Sequence, residues 1–161
     1  MERPAGYAVL VALTDWEPRK VLLTLRAQTL RQHPGEVSFP GGKIESGETP
    51  AQAALREACE EVGLSGAAVQ VTGCLPAVQG RNGERIVPVI GRLPSPVALH
   101  PSQEVAEIFW AELASLRWEG APRFPEFRVG AQRVWGLTAH ILWAVLQRWP
   151  AAGDGGAEAP L

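Results

Sequence analysis

The stretch that decides the fold runs from Phe39 to Leu64, F-P-G-G-K-I-E-S-G-E-T-P-A-Q-A-A-L-R-E-A-C-E-E-V-G-L. Its second half is punctuated as a helix. Thr49 is a natural N-cap, with Gln52 three residues on as in a capping box. Pro50 occupies the first helical position, where its missing N–H does no harm. Gly63 stands where a left-handed C′ residue is expected. These signals predict a helix over Pro50–Val62. On a helical wheel Ala51, Leu55, Ala58 and Val62 gather on one side, and Glu57, Glu60 and Glu61 on another.

Three carboxylates packed together repel one another. A hard divalent cation removes that penalty, because carboxylate oxygens are the donors that Mg²⁺, Mn²⁺ and Ca²⁺ prefer. The Pro-Gly-Gly turn before the helix lets backbone approach a metal or a phosphate closely. Arg56 is placed to pair with Glu48 across the intervening loop and hold that turn rigid. A glutamate-rich helix face is usually plain solvated surface. Here, however, Gly42, Glu48, Arg56, Glu57, Glu60, Glu61 and Gly63 fit one template, G-x5-E-x7-R-E-x-x-E-E-x-G, followed by the aliphatic Leu64. Seven fixed positions at about 7% background usage match by chance on the order of once in 10⁸ starts.

That template is the Nudix box, and the sequence resembles the Nudix hydrolase family. A soft departure is Ala58, where the family usually has a larger aliphatic residue. The resemblance implies hydrolysis of a phosphoanhydride, with water attacking phosphorus, on a nucleoside diphosphate linked to another group. It implies Glu57, Glu60 and Glu61 as ligands of Mg²⁺ or Mn²⁺, joined by the Gly41 carbonyl, and Glu48 with Arg56 as the supporting pair. The base comes from Glu60 or Glu61, with Glu104 as the outside candidate. Because that face of the helix is expected to bury little, Gln at Glu60 or Glu61 is expected to spare the fold.

The stretch before the box bears on the substrate. Leu22–Gly42 reads L-L-T-L-R-A-Q-T-L-R-Q-H-P-G-E-V-S-F-P-G-G. It resembles the extended signature of the coenzyme A diphosphatase branch of the family, as do the later R-I-V-P-V and V-W-G-L-T stretches. This resemblance implies cleavage of coenzyme A to 3′,5′-ADP and 4′-phosphopantetheine. A substrate with a diphosphate and a 3′-phosphate needs cations near the metal, and Arg gives planar, bidentate phosphate contacts. Arg26, Arg31 and His33 supply such a cluster, and Arg81 and Arg85 add to it from a later loop. The rival reading is a general Nudix diphosphatase acting on ADP-ribose, NADH or nucleoside triphosphates. A non-catalytic binding module of this fold is expected to lose box carboxylates, and none is missing here.

The remaining chain is consistent with one α/β domain. At 161 residues it is long enough for a real core, and its composition is ordinary for a soluble globular protein. A net charge of −2 gives no nucleic-acid footprint, and no apolar run approaches a membrane span. Met-Glu-Arg-Pro lacks a signal sequence, so cytoplasm is the expected compartment. Cys59 and Cys74 make no disulfide or zinc framework and are read as structural. Tyr7–Leu13 and Lys20–Leu25 are expected to pair as a hairpin, joined by a polar connector, Arg26–Gly35, to a short strand at Glu36–Phe39. Further strands are expected at Ala68–Leu75, at Arg85–Leu93 (edge-like or bulged because of Pro88), and at Glu104–Trp110. One or two helical turns are expected at Ala111–Leu116, an irregular stretch at Trp118–Pro125, and a small hairpin of Phe127–Val129 with Arg133–Trp135. An amphipathic helix at Leu137–Trp149, with Trp143 and Trp149 as packing residues, closes the domain. The expectation is a Nudix-like α/β/α sandwich, with a mixed sheet between helices, over residues 1–149. A disordered tail is expected over 150–161, and the whole is expected to act as a monomer or homodimer on a small-molecule substrate.

Overall fold

The structure is a computed structural model that describes residues 6–80, 82–119 and 123–149. The expected tail at 150–161 lies outside them, as does Arg81. The described residues form eleven strands and two α-helices in the order β1 (Tyr7–Thr14), β2 (Lys20–Arg26), β3 (Val37–Ser38), β4 (Gly41–Lys43), α1 (Pro50–Val62), β5 (Gln70–Cys74), β6 (Val78–Gln79), β7 (Arg85–Leu93), β8 (Val105–Glu112), β9 (Trp118–Glu119), β10 (Glu126–Val129), β11 (Gln132–Val134) and α2 (Gly136–Arg148). Single 3₁₀ turns occupy Gly66–Ala68 and Leu113–Ser115. The first trims the strand expected from Ala68 back to Gln70. The second is the helical turn expected near Leu116.

β1 is the spine. Its sequence, Y-A-V-L-V-A-L-T, is apolar at almost every position, as a strand covered on both faces must be. Side chains alternate across the sheet. Ala8, Leu10 and Ala12 pack under α1 with Leu22, Val87, Val89 and Leu93. Val11 and Leu13 pack on the other face with Val21, Leu23 and Phe39, against Ala139, Ile141, Leu142 and Val145 of α2. The result is the expected sandwich of a mixed sheet between helices. β1 pairs antiparallel with β2 and β4 and parallel with β7. The path across the sheet is β3-β2-β1-β7-β5, with β8 also on β2 and β6 on β7. A second small sheet, β11-β10-β9, stands beside it and extends the expected hairpin by Trp118–Glu119, part of the stretch expected to be irregular.

The structure corrects several expectations. Pro-Gly-Gly is not a free turn, because Gly41–Lys43 forms β4 beside Tyr7–Val9. β7 is not an edge strand; it lies between β1 and β5. Pro88 is tolerated there because it faces the break between β5 and β6, where its carbonyl takes the Leu75 amide at 2.9 Å and no ladder bond requires its missing N–H. The ladder irregularity lies on β5, between Val71 and Gly73. Cys59 and Cys74 are both exposed free thiols rather than structural core residues. Trp149 is buried and Trp143 packs edge-on to Trp118, with ring centroids 6.4 Å apart, so both tryptophans do pack.

Candidate active site

Helix α1 begins and ends where its caps require. Thr49 accepts from the Gln52 amide while the Gln52 side chain accepts from the Thr49 amide, and Gly63 closes the helix at φ 71°. The last carbonyls are taken by the loop after β7. The Ser102 amide donates to the Glu61 carbonyl and the His100 amide to the Val62 carbonyl, each at 2.9 Å. Ala53, Ala54, Ala58 and Val62 press against the sheet. Each fully buried aliphatic side chain such as Val62 contributes roughly 1.5–3 kcal/mol to that docking. Ala58 is fully buried, so the close seating of α1 on the sheet leaves it no solvent.

This rotation of α1 buries Glu61 as well, at 6% exposure, which corrects the expectation that the acidic face buries little. Its carboxylate accepts from the Gly41 amide of β4 at 3.3 Å. Burial pushes Glu61 up to about 8. The Gly41 bond and Arg26 oppose that, while the charges of Glu57 and Glu104 add to it. Glu57 is seated against Gly42: a Cβ added there would sit 2.5 Å from the Glu57 carboxyl carbon and 2.8 Å from both its oxygens. Gly41 has its own steric need, since a Cβ there would overlap the Ala8 carbonyl oxygen and come within 2.7 Å of Val9 Cα. The glycine pair therefore has two jobs. Gly41 lets β4 approach β1, and Gly42 leaves room for a carboxylate.

Arg56 is the hub of the acidic cluster. It grips Glu48 with a fork, Nε to Oε2 at 2.8 Å and Nη2 to Oε1 at 3.0 Å, and its Nη2 also donates to the Lys43 carbonyl at 3.0 Å. Its Nη1 donates to Glu57 at 2.8 Å and stands 3.5 Å from Glu60 and 3.9 Å from Glu45. The Arg56 bond, followed by the Glu45 amide, holds Glu48 below the usual carboxylate range. Glu48, then Glu57, in turn raises Arg56. The expected Glu48–Arg56 pair is thus present and ties the 43–48 loop to α1. Glu45 and the Lys43 carbonyl belong to the same knot, and the box template does not mark them.

Among the described residues no three His, Cys, Asp or Glu side chains are gathered on one point that would hold a cation as they stand. The carboxylates instead surround the Arg56 guanidinium, with Glu60 largely exposed, and Glu61 rests on an amide. The donor chemistry nevertheless fits a hard divalent ion. Glu57 and Glu61 flank the Gly41-Gly42 backbone, Glu60 is one turn from Glu57, and a buried carboxyl group with two acidic neighbours is the environment a cation relieves.

The cationic residues divide. Leu22, Thr24 and Arg26 alternate onto the α1 face of β2, where Arg26 lies opposite Val105 and close enough to Glu61 to act on its charge. Its Nη2 donates to the Gln32 carbonyl, and its buried Nε has no partner among the described residues. Glu104 adjoins it, with the Glu104 carbonyl accepting from the Ala27 amide at 2.9 Å. Arg31 and His33 lie exposed on the 27–36 loop, and His33 Nδ1 is 3.0 Å from the Glu36 carboxylate. Arg85 opens β7 exposed to solvent, at the end of the sheet where Ile86, Tyr7 and Lys43 stand side by side.

The NUDIX domain profile matches residues 4–128. The chain is 38% identical over 149 residues to an Enterobacter protein described as the uncharacterized Nudix hydrolase NudL, with 84% of this chain and 78% of that one covered. A Cronobacter sakazakii protein of the same description is 39% identical with the same coverage. Among solved structures, the Mycobacterium smegmatis Nudix hydrolase RenU superposes with a TM-score of 0.59 at 32% identity, over 67% of this chain and 70% of that one. A Nitrosomonas europaea NUDIX hydrolase at 19% identity shares the fold, with a TM-score of 0.63 over 99% of this chain and 78% of that one. With its box carboxylates, its Arg56 knot and these relatives, the chain belongs to the Nudix family and is a Nudix hydrolase of a nucleoside diphosphate derivative.

Proposed function

We propose that this hydrolase cleaves the diphosphate bond of coenzyme A and its derivatives, giving 3′,5′-ADP and 4′-phosphopantetheine or its acylated form. The observation that supports this reading is the L-L-T-L-R-A-Q-T-L-R-Q-H-P-G-E-V-S-F-P-G-G stretch, one continuous segment that carries the cations and the carboxylate seat together. Its start sets Arg26 on the α1 face of β2, close enough to Glu61 to act on its charge. Its middle carries Arg31 and His33 on an exposed loop. Its end, Gly41-Gly42, seats the Glu57 and Glu61 carboxylates. A molecule with a diphosphate and a further phosphate on the neighbouring ribose suits that grouping of charge, since Arg26 reaches the Gln32 carbonyl between Arg31 and His33.

Mg²⁺ or Mn²⁺ held by Glu57, Glu60 and Glu61 would offset charge on the diphosphate and lower the pKa of a water. Arg26 binds a diphosphate oxygen, and Arg31 with His33 the 3′-phosphate, with Arg85, at the start of β7, and Arg81 adding positive charge. Glu60 or Glu61 takes the proton from the attacking water, or Glu104 does so from outside the box. The water oxygen bonds to one phosphorus, the bridging P–O bond breaks, and the bridging oxygen leaves on the other phosphate. Arg56 touches neither phosphate; it keeps Glu48 and Glu57 in place.

The test is a comparison of coenzyme A with dephospho-coenzyme A in wild type, Arg26→Ala and Arg31→Ala. Wild type should favour coenzyme A. Arg31→Ala should lose at least tenfold in kcat/KM on coenzyme A and much less on dephospho-coenzyme A, while Arg26→Ala should lose on both. Equal turnover of the two, with ADP-ribose cleaved faster, would overturn the reading in favour of a general diphosphatase.

A further inference from the structure

The V-W-G-L-T stretch, Val134–Thr138, lies at the start of α2, on the face of the sheet opposite the box helix. Nothing in the chemistry above uses it. Its last residue makes a buried bond across the fold: Thr138 Oγ1 donates to the Val37 carbonyl at 3.0 Å. Thr138 itself is 9% exposed.

The position of that carbonyl gives the bond its meaning. β3 is two residues long and is the outermost strand of the main path, held by β2 through Leu25↔Val37 and Thr24↔Ser38. The neighbouring ladder bonds run from the Arg26 amide to the Glu36 carbonyl at 2.9 Å and from the Gly35 amide to the Arg26 carbonyl at 3.1 Å. In an antiparallel ladder bonded and non-bonded pairs alternate, so Val37 opposite Leu25 turns its own carbonyl away from β2. An edge carbonyl buried there needs a donor from elsewhere, and Thr138 is that donor.

Val37 is also the downstream foot of the 27–36 loop. The upstream foot is fixed by the Ala27 amide on Glu104. Within the loop, Arg26 reaches the Gln32 carbonyl and His33 meets Glu36, which directly precedes Val37. Beyond Val37 the chain runs through buried Phe39 and Pro40 to the glycine seat.

We propose that Thr138 is a positioning residue for substrate binding. By holding the Val37 carbonyl from α2, it fixes the foot of the loop that carries Arg31 and His33. This rests on the reading that the loop binds substrate phosphates. The bond lies at the foot of the loop itself, while the glycine seat of the α1 carboxylates lies four residues on, beyond buried Phe39 and Pro40, so losing the bond is expected to act on KM before the chemical step.

The experiment compares Thr138→Val, Thr138→Ser and Val145→Ala. The valine keeps shape and loses the donor. The serine keeps the donor. Val145→Ala weakens α2 packing elsewhere and controls for stability. Steady-state kinetics on coenzyme A and on ADP-ribose are measured for each, with folded fraction followed by circular dichroism. Thr138→Val is expected to raise KM by roughly fivefold or more on the substrate that wild type turns over, with kcat within about twofold. Thr138→Ser is expected to restore KM, and Val145→Ala to leave it unchanged. An unchanged KM in Thr138→Val, or a rise equalled by Val145→Ala, overturns the inference. Preference for ADP-ribose in wild type would count against coenzyme A as the substrate while leaving the Thr138 comparison intact.

Discussion

Replacing Gly42 by alanine isolates the seat of Glu57. A Cβ at that position would lie 2.5 Å from the Glu57 carboxyl carbon, against the 3.4 Å at which ordinary contact begins. The carboxylate must therefore retreat by about 1 Å, several times the ~0.2 Å within which metal–ligand distances are held. A misplacement of that size near the reacting atoms can cost on the order of 10²-fold in rate. Stability should respond differently. Gly42 is not among the glycines with positive φ, and the atoms in the way are the end of a flexible side chain. Alanine there is compatible with the backbone and should change unfolding free energy by no more than about 1 kcal/mol, in the stabilising direction if at all. Gly41→Ala is the contrasting variant, because its Cβ would meet the backbone of β1 at Ala8 and Val9. Overpacking against a central strand costs typically 1–3 kcal/mol, or a fall of roughly 2–12 °C in Tm. The assay is paired: kcat/KM at saturating Mg²⁺ and thermal unfolding for each variant. Expected are a stable, poorly active Gly42→Ala protein and a destabilised Gly41→Ala protein. A Gly42→Ala enzyme with wild-type kcat/KM would refute the reasoning, because Glu57 could then work from a position it does not occupy here.

Other outcomes follow from the same geometry. Glu60→Gln should lower kcat by roughly 10²-fold or more with Tm unchanged, since its side chain is largely exposed. Glu61→Gln should lower kcat as much without lowering Tm, because the amide fills the same buried seat and carries no charge to desolvate; a large loss of stability would contradict the burial argument. Arg56→Lys keeps a positive charge but gives up the fork on Glu48, so the Glu45 and Glu48 amides should exchange hydrogen faster and kcat/KM should fall at least tenfold. Chelation should abolish turnover, and Mg²⁺ at about 100 times its Kd should stabilise the folded protein by roughly 2.7 kcal/mol, read as a rise in Tm; no shift would deny the site a metal.

The helix that carries the box was legible to the residue, because Thr49, Pro50, Gln52 and Gly63 are local signals that act within one turn. Its buried face was less legible. The wheel favoured Leu55 and Ala51, which are only half-buried, over Ala53 and Ala54, which are fully buried. Alanine carries little hydrophobic signal, and the docking angle is set by how closely β4 and β1 let the helix approach. For the same reason Glu61 looked solvated: its burial depends on the Gly41 amide, twenty residues upstream. Pro88 argued for an edge strand on a local rule. What overrode the rule is the gap between β5 and β6, a tertiary feature. The Glu48–Arg56 pair was readable because the two are only eight positions apart, Glu48 just before the N-cap Thr49 and Arg56 at the end of the second turn of α1. The Thr138–Val37 bond spans 101 residues, and no local pattern encodes it.

The most direct measurement is product analysis of purified protein incubated with coenzyme A, dephospho-coenzyme A and ADP-ribose, with and without Mg²⁺ or Mn²⁺. The account predicts 3′,5′-ADP and 4′-phosphopantetheine from coenzyme A as the fastest reaction, and none of it without metal. Turnover that persists after chelation, or ADP-ribose cleaved far faster than coenzyme A, would contradict it.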